Sequence, residues 1–394
     1  MSKLLVFTEN YVKGGGNRYM IDVVNAIEER YDHVVFASNK NGIFSEDIAR
    51  LNRPAIYRHI WFISRSSMDH ALRFIHPITR RIILAPLILA EPFFFLANLM
   101  RFMLLLRSVK PAYIVSCNGG YPAAQSSLAM VVAARILRLP VVLSVVSMPV
   151  RRRAYFRHYE SFIDKLVWKS VNVVIVNAKA ILKSLHELRD MPLEKARVVY
   201  NGLEDMPPKI TNTMRDQSLV NIGCVARMDA AKGVFFLLDA FAYLAKEHPE
   251  LRLILAGDGN ASADLLRRAG VLGIQDQVQF LGHYSGDTCA LLNTFDIYVF
   301  PSLWEGFPYS IVEALRSACT IVATDVGGIP EAITNGVNGI LIKPGSADAI
   351  IEAIEQLLSD AVTRDMLARN ARLKFESDLE LKKMHGRVRE IVTP

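Results

Sequence analysis

Cysteine is nearly absent from this chain: there are four in 394 residues. Cys117, Cys224, Cys289 and Cys319 lie far apart and form no C-x-x-C pair, which excludes a disulfide-stapled framework and a cysteine-based zinc site. The pattern is that of a reduced, cytoplasmic chain. Internal repeats and low-complexity tracts are missing too, so neither a solenoid nor a disordered tail is expected. No Asp-x-Asp pair stands at a strand end and no His/Cys cluster occurs, so neither a metal nor another cofactor is expected. Nothing reads as a signal peptide, because Met1-Ser2-Lys3 runs straight into the strand-like Leu4-Leu5-Val6-Phe7. The first half also lacks acid. Residues 1–200 carry 28 Lys and Arg against 14 Asp and Glu, a net +14, whereas residues 201–394 carry 18 against 25, a net −7. So lopsided a chain suggests that its first half meets something anionic, for which a nucleic acid or a membrane surface would serve.

What is present describes an ordered protein. Hydrophobic residues make up 51% and charged residues 22%, and the mean hydropathy of +0.22 is high for a freely soluble enzyme. The length is too great for one ordinary core and fits two domains of about 150–200 residues. Short β-rich apolar runs alternate with amphipathic stretches of helical length, the pattern of parallel sheets covered by helices. In the first half the runs fall at 4–8, 33–37, 113–116, 141–146, 171–176 and 197–200; in the second, at 219–225, 251–256, 278–281, 297–300, 320–323 and 339–342. Between the first two runs, Met20, Val23, Val24 and Ile27 mark one helical face. The expected domains are 1–205 and 206–378, with a helix over 379–394. They are joined near 203–217, where Pro207-Pro208 and Thr211-Asn212-Thr213 lack periodicity.

The segment richest in chemistry is Phe300-Pro301-Ser302-Leu303-Trp304-Glu305-Gly306-Phe307-Pro308-Tyr309-Ser310-Ile311-Val312-Glu313-Ala314-Leu315. A strand ends at Phe300, a Gly/Pro loop follows, and a helix begins near Tyr309 or Ser310. Ligands of open α/β sheets bind beyond the carboxyl ends of strands, where a helix start offers free N–H groups to an anion. Glu305 and Glu313 are eight residues apart, one in the loop and one two turns into the helix. This E-x7-E pattern resembles the donor signature of family 4 glycosyltransferases. Other segments, in order, are similar to that family's: Asn201-Gly202, Arg227 and Lys232 in "ARMDAAKG", Gly257-Asp258-Gly259, and Gly327-Gly328-Ile329-Pro330-Glu331. The match is close over 197–345 and looser before it.

The resemblance implies the GT-B fold, an α/β architecture of two Rossmann-like, doubly wound parallel-sheet domains facing a cleft, with a final helix crossing back to the first domain. It implies a retaining transferase that takes a sugar from a nucleotide-diphosphate donor. Carried over by position, Arg227 and Lys232 would grip the diphosphate and neutralise leaving-group charge. Glu305 would face the transferred sugar and Glu313 would hold the ribose hydroxyls. Gly257, Asp258, Gly306, Phe307, Ser310 and Ile311 would line the donor, and Gly15 and Gly16 would close over the diphosphate from the N-terminal domain. One departure stands out. Family members commonly carry a histidine after the strand corresponding to 141–146, whereas this chain reads Leu143-Ser144-Val145-Val146-Ser147-Met148-Pro149. Either Asn118 or Ser147 replaces it, or the chain is catalytically weakened. A donor-binding pseudoenzyme and a nucleotide-sugar 2-epimerase are the rival readings.

Residues 82–106 are unusually apolar, but Pro86, Glu91, Pro92 and Arg101 interrupt them, so no clean spanning helix is expected. A helix from Pro92 onward would have a narrow polar stripe of Asn98, Arg101 and Ser108. With Arg73, Arg80 and Arg81 before it and Arg151-Arg152-Arg153 and Arg157 after it, this is the composition of an interfacial anchor. The expected partners are therefore a nucleotide-sugar donor, a glycan or lipid-linked acceptor and an anionic membrane surface, with no nucleic acid. The expected place is the inner face of a cell membrane, in envelope polysaccharide or lipopolysaccharide assembly.

Overall fold

The structure is a computed structural model, and it describes all residues except 10, 12–13, 40–47, 123, 207–217 and 393–394, with the side chain of residue 77 also left out. The aperiodic joint read at 203–217 falls mostly outside the described residues. The chain divides into two compact units, Met1–Tyr200 with Met384–Pro394, and Asn201–Lys383.

The first unit is built on seven parallel strands: β1 (Lys3–Thr8), β2 (His33–Ser38), β3 (Ile56–His59), β4 (Tyr113–Asn118), β5 (Val141–Val145), β6 (Val173–Val176) and β7 (Ala196–Val198), in the order β3-β2-β1-β4-β5-β6-β7. The strand β4 and the Val-rich strands β5 and β6 are buried almost throughout, because helices cover both faces of a parallel sheet. β3 gives no apolar signal in the sequence: it is an edge strand of Ile, Tyr, Arg and His, largely exposed. The last helix, Leu381–Ile391, belongs mostly to this unit, and Arg389 Nε donates to the Ala26 carbonyl at 2.8 Å.

The second unit has six parallel strands: β8 (Val220–Val225), β9 (Leu251–Ala256), β10 (Val278–Gly282), β11 (Ile297–Phe300), β12 (Ile321–Thr324) and β13 (Ile340–Ile342), in the order β10-β9-β8-β11-β12-β13. Each sheet reverses its strand order once, between β1 and β4 in the first and between β8 and β11 in the second. Open sheets bind ligands at such reversals, where neighbouring loops diverge.

The larger part of the apolar segment forms the helix Glu91–Val109, which packs against the helix Gln125–Ile136. Phe102 lies edge-on to Phe7 of β1 at 4.8 Å between ring centres. Contrary to the sequence reading, this helix is long and apolar enough by length and composition to cross a membrane. The expected polar stripe is not a stripe either. Asn98 is buried and exchanges hydrogen bonds with the Ile63 backbone at 3.0 and 2.6 Å, while Arg101 lies over the Trp61 ring at 3.9 Å. What faces solvent is an apolar row of Phe93, Leu96, Met100 and Leu104, at 74, 56, 60 and 65% exposure. Helical spacing places these four on one side.

The arginines after β5 also differ from the sequence reading, which treats Arg151, Arg152, Arg153 and Arg157 as one basic surface. Arg153 reaches both oxygens of Glu91 and one of Glu160, and Arg152 Nε donates to Asp164 Oδ2 at 2.7 Å. Arg189, fully buried, donates to Glu160 Oε2 at 2.8 Å, and Tyr121 donates to Asp164 Oδ1 at 2.9 Å. Burial holds the Asp164 carboxyl above its ordinary range even so. Arg152 and Arg153 are thus structural cations, paired because an unpaired charge could not be buried. Glu160→Ala would remove the nearer of the two carboxylates on Arg189, leaving Asp164 at 3.5 Å, and should lower stability by up to about 3–5 kcal/mol in urea unfolding followed by circular dichroism.

Candidate functional site

In the second unit the loops after β8, β9, β11 and β12 are tied together at the carboxyl edge of the sheet. After β8, the Met228 amide donates to the Asp258 carbonyl at 3.1 Å and its own carbonyl accepts from Ala261 at 2.8 Å, joining this loop to the Gly257-Asp258-Gly259 turn. On its other side the Ala231 carbonyl accepts from the Leu303 amide at 2.8 Å and from Ser302 Oγ at 3.2 Å. The loop after β11 is tied in turn to that after β12, where the Gly328 amide donates to the Gly306 carbonyl at 2.7 Å. Two approaches are so close that only glycine fits. A Cβ on Gly233 (φ +68°) would lie 2.0 Å from the Pro301 carbonyl oxygen, and one on Gly327 (φ +55°) 2.0 Å from that of Glu305.

This framework brings the expected charged residues to the β8/β11 reversal. Lys232 Nζ donates to Glu305 Oε1 at 2.5 Å, and Ser302 Oγ donates to the same oxygen at 2.8 Å. Glu305 is buried and Lys232 mostly so, so the pair is only weakly screened. Arg227 is half exposed, and its Nε donates to Asp229 Oδ2. Asp258 accepts from the Ser262 hydroxyl and the Gly259 amide, both at 2.7 Å, which holds its carboxyl below the usual range. Gly306 and Phe307 are buried, and the Phe307 carbonyl accepts from Asn201 Nδ2 at 2.5 Å.

The helix Tyr309–Arg316 starts beyond this loop, with Ser310 and Glu313 partly exposed and Glu313 acting electrostatically on the Tyr298 hydroxyl. The Ile311 side chain is fully buried in the core, and its amide donates to the Pro308 carbonyl at 3.2 Å.

The remaining candidates lie in the first unit. Gly15 and Gly16 are exposed and open the helix Gly15–Ile27 beyond β1. Asn118 ends β4 opposite Val145 of β5, and Ser147 stands two residues past Val145. The Val146 amide donates to the Gly119 carbonyl at 3.0 Å, holding the two loops together. Asn118 is buried; its Oδ1 accepts from the Ala124 amide at 3.1 Å, while its Nδ2 has no partner among the described residues. A buried amide nitrogen left unpaired is costly, which makes it a candidate ligand group.

Sequence reasoning missed Ser302 and Asp229, although both stand inside the motifs it used. It also missed Glu9, which follows β1 and accepts from Ser64 Oγ at 2.5 Å and from Ser126 Oγ. Burial raises the Glu9 carboxyl above its ordinary range. Among the described residues, no group of three His, Cys, Asp or Glu is placed to hold a metal ion.

Two family models match the chain in tandem, "Glycosyltransferase Family 4" over residues 13–205 and "Glycosyl transferases group 1" over residues 214–374. The chain belongs to the family 4 glycosyltransferases. Its fold is GT-B: HepE from Anabaena, solved in complex with UDP, superposes with a TM-score of 0.77 at 20% identity over 99% of both chains. The capsular polysaccharide biosynthesis glycosyltransferase CapM of Staphylococcus aureus is 25% identical over 72% of this chain and 76% of its own length. A Campylobacter jejuni enzyme that adds N-acetylgalactosamine to a diphospho-undecaprenol-linked sugar is 23% identical over 55% of this chain and 59% of its own. A glycosyltransferase of Methanocaldococcus jannaschii is 28% identical over 50% of this chain, and the match spans only 54% of that relative's length.

The close approach at Gly327 makes it a sharp test of the framework. Gly327→Ala should cost about 2–4 kcal/mol through the positive φ and the clash with Glu305, read in thermal unfolding.

Proposed function

We propose that this glycosyltransferase moves a sugar from a nucleotide-diphosphate sugar to a glycan or lipid-linked acceptor, with retention of anomeric configuration and without a metal. The observation that carries this reading is the cationic pair at the β8/β11 reversal, Arg227 with its terminal nitrogens facing no protein partner among the described residues and Lys232 beside Glu305. As the bond from sugar to diphosphate breaks, negative charge collects on the departing phosphate oxygen and positive charge on the anomeric carbon. Arg227 and Lys232 would neutralise the first, a task that a divalent ion performs elsewhere. Lys232 has three N–H donors, so holding Glu305 leaves others for phosphate. The buried Glu305 carboxylate would stabilise the second. The acceptor hydroxyl would attack from the same face and pass its proton to the leaving phosphate. In the first unit, the Asn118 amide nitrogen, without a partner among the described residues, would take a sugar or acceptor hydroxyl in place of the missing histidine.

An envelope polysaccharide or lipopolysaccharide role, at the inner face of a membrane, is the reading that the relatives and the surface support together. CapM and the Campylobacter enzyme work on capsular and lipid-linked glycans. The row Phe93, Leu96, Met100 and Leu104 is flanked by the exposed Arg101 and Arg107 on the same helix, with Ile82 and Arg81 on the helix Pro77–Leu84. Four buried free thiols suit a reducing compartment.

Two experiments test these readings. Arg227→Ala and Lys232→Ala should each lower turnover by about 10²–10³-fold, as loss of one preorganised donor does, and wild-type turnover should survive a chelator; near-normal variants, or rescue only by Mn²⁺ or Mg²⁺, would reject the mechanism. The protein should co-sediment with phosphatidylglycerol vesicles at low salt and release partly as salt rises. Combining Phe93→Ser, Leu96→Ser and Met100→Ser should weaken the salt-resistant part without unfolding the protein, since these side chains are already in solvent. A wild-type protein that ignores such vesicles would point to a soluble acceptor.

A further inference from the structure

Two carboxylates stand beside the two proposed donor cations, and they are not equivalent. Glu305 takes one donor of the Lys232 ammonium, the group that would meet phosphate. Asp229 takes only the Nε of Arg227. A guanidinium carries five N–H donors in a rigid plane, and Nε lies at its root, so a bond there fixes the plane and leaves the four terminal N–H groups as a fork. Among the described residues those terminal nitrogens have no protein partner. We propose that Asp229 is a positioning residue for the donor diphosphate: it sets the Arg227 guanidinium so that its terminal fork meets the phosphates.

The backbone around Asp229 is suited to that work. Its neighbour Met228 is buried and held through both its amide and its carbonyl by the loop after β9. The Asp229 amide donates to the Arg227 carbonyl at 2.8 Å, and the Asp229 carbonyl accepts from the Lys232 amide at 2.9 Å. One short turn therefore fixes the carboxylate relative to β8, places it against Arg227 and sets the start of the turn Ala230–Lys232 that carries the second cation. Arg227 needs such an anchor, because half of its side chain is in solvent and, among the described residues, only Asp229 holds its head. A long side chain loses rotamer freedom when it grips a ligand; a side chain already fixed in the free protein incurs less of that loss on binding.

Simple electrostatics predicts the opposite sign, which makes the inference decidable. A carboxylate near a diphosphate repels it, so removing Asp229 would tighten diphosphate binding if charge alone mattered. Loosening can come only from lost positioning. The inference rests on the donor reading above, and the experiment separates the two. UDP, GDP and ADP are first screened by calorimetry on the full-length protein; if none binds, the donor reading fails and this inference falls with it. With the tightest of the three, Asp229→Ala should loosen the diphosphate about tenfold while the matching monophosphate changes by less than about twofold, as expected for lost preorganisation of one bidentate contact. Asp229→Asn, which keeps an accepting oxygen, should fall between and serves as the readout if the alanine variant does not fold. In an Arg227→Ala background, Asp229→Ala should add no further loosening, because its effect passes through Arg227. Unchanged or tighter diphosphate binding in both Asp229 variants, or loosening that persists without Arg227, would overturn the proposal and leave the donor reading standing.

Discussion

The ion pair between Lys232 and Glu305 is the interaction around which the second unit's loops are arranged. Bringing an ammonium and a carboxylate together with little water is favourable only when both are held and the remaining lone pairs are satisfied. Ser302 supplies the further hydrogen bond to Glu305, and the Thr324 hydroxyl fixes the Ser302 carbonyl at 2.5 Å. Ala231, one residue before Lys232, accepts from both Ser302 and Leu303, so the loops after β8 and β11 cannot move independently. Gly233 and Gly327 let their backbones approach closely enough for this to happen. The result is a charged group at a sheet reversal that is set before any ligand arrives, which is the condition for electrostatic catalysis.

The first unit handles charge differently. It carries most of the chain's excess of arginine, yet several of those arginines are spent inside. Arg152, Arg153 and Arg189 meet Glu91, Glu160 and Asp164 in a buried network that spans the start of the Glu91–Val109 helix, the segment after β5 and the helix Arg157–Ser170. The same network borders the loops that bear Asn118 and Ser147: Tyr121 donates to Asp164, and the Val150 carbonyl accepts from Arg189 Nε at 2.8 Å. Charge in this unit therefore has two uses. Paired and buried, it fixes loops at the carboxyl edge of the sheet; exposed, as at Arg101 and Arg107, it stands beside an apolar row.

The amino-acid sequence determined the number and kind of strands almost completely, because parallel strands buried on both faces must be continuous apolar runs and Val-rich runs are easy to see. It missed β3, whose edge position removes the need for burial. It also singled out Arg227, Lys232, Glu305 and Glu313, which stand at fixed spacings within motifs whose local conformations, a strand end, a glycine turn and a helix start, are set by near neighbours. What only the tertiary structure decided is how those groups meet and which side chains face outward. Lys232 finds Glu305 73 residues away because strand order places β8 beside β11. Ile311 turns into the core, and Arg152 and Arg153 leave the surface for carboxylates on other helices. Helical periodicity could not tell which side of the Glu91–Val109 helix faces solvent, since apolar residues surround it; packing against Gln125–Ile136 chose, and left Phe93, Leu96, Met100 and Leu104 in water. Local spacing fixes what a few bonds of chain can enforce, whereas partners far apart in sequence are settled by the strand order and by the cost of leaving a charge or an amide buried alone.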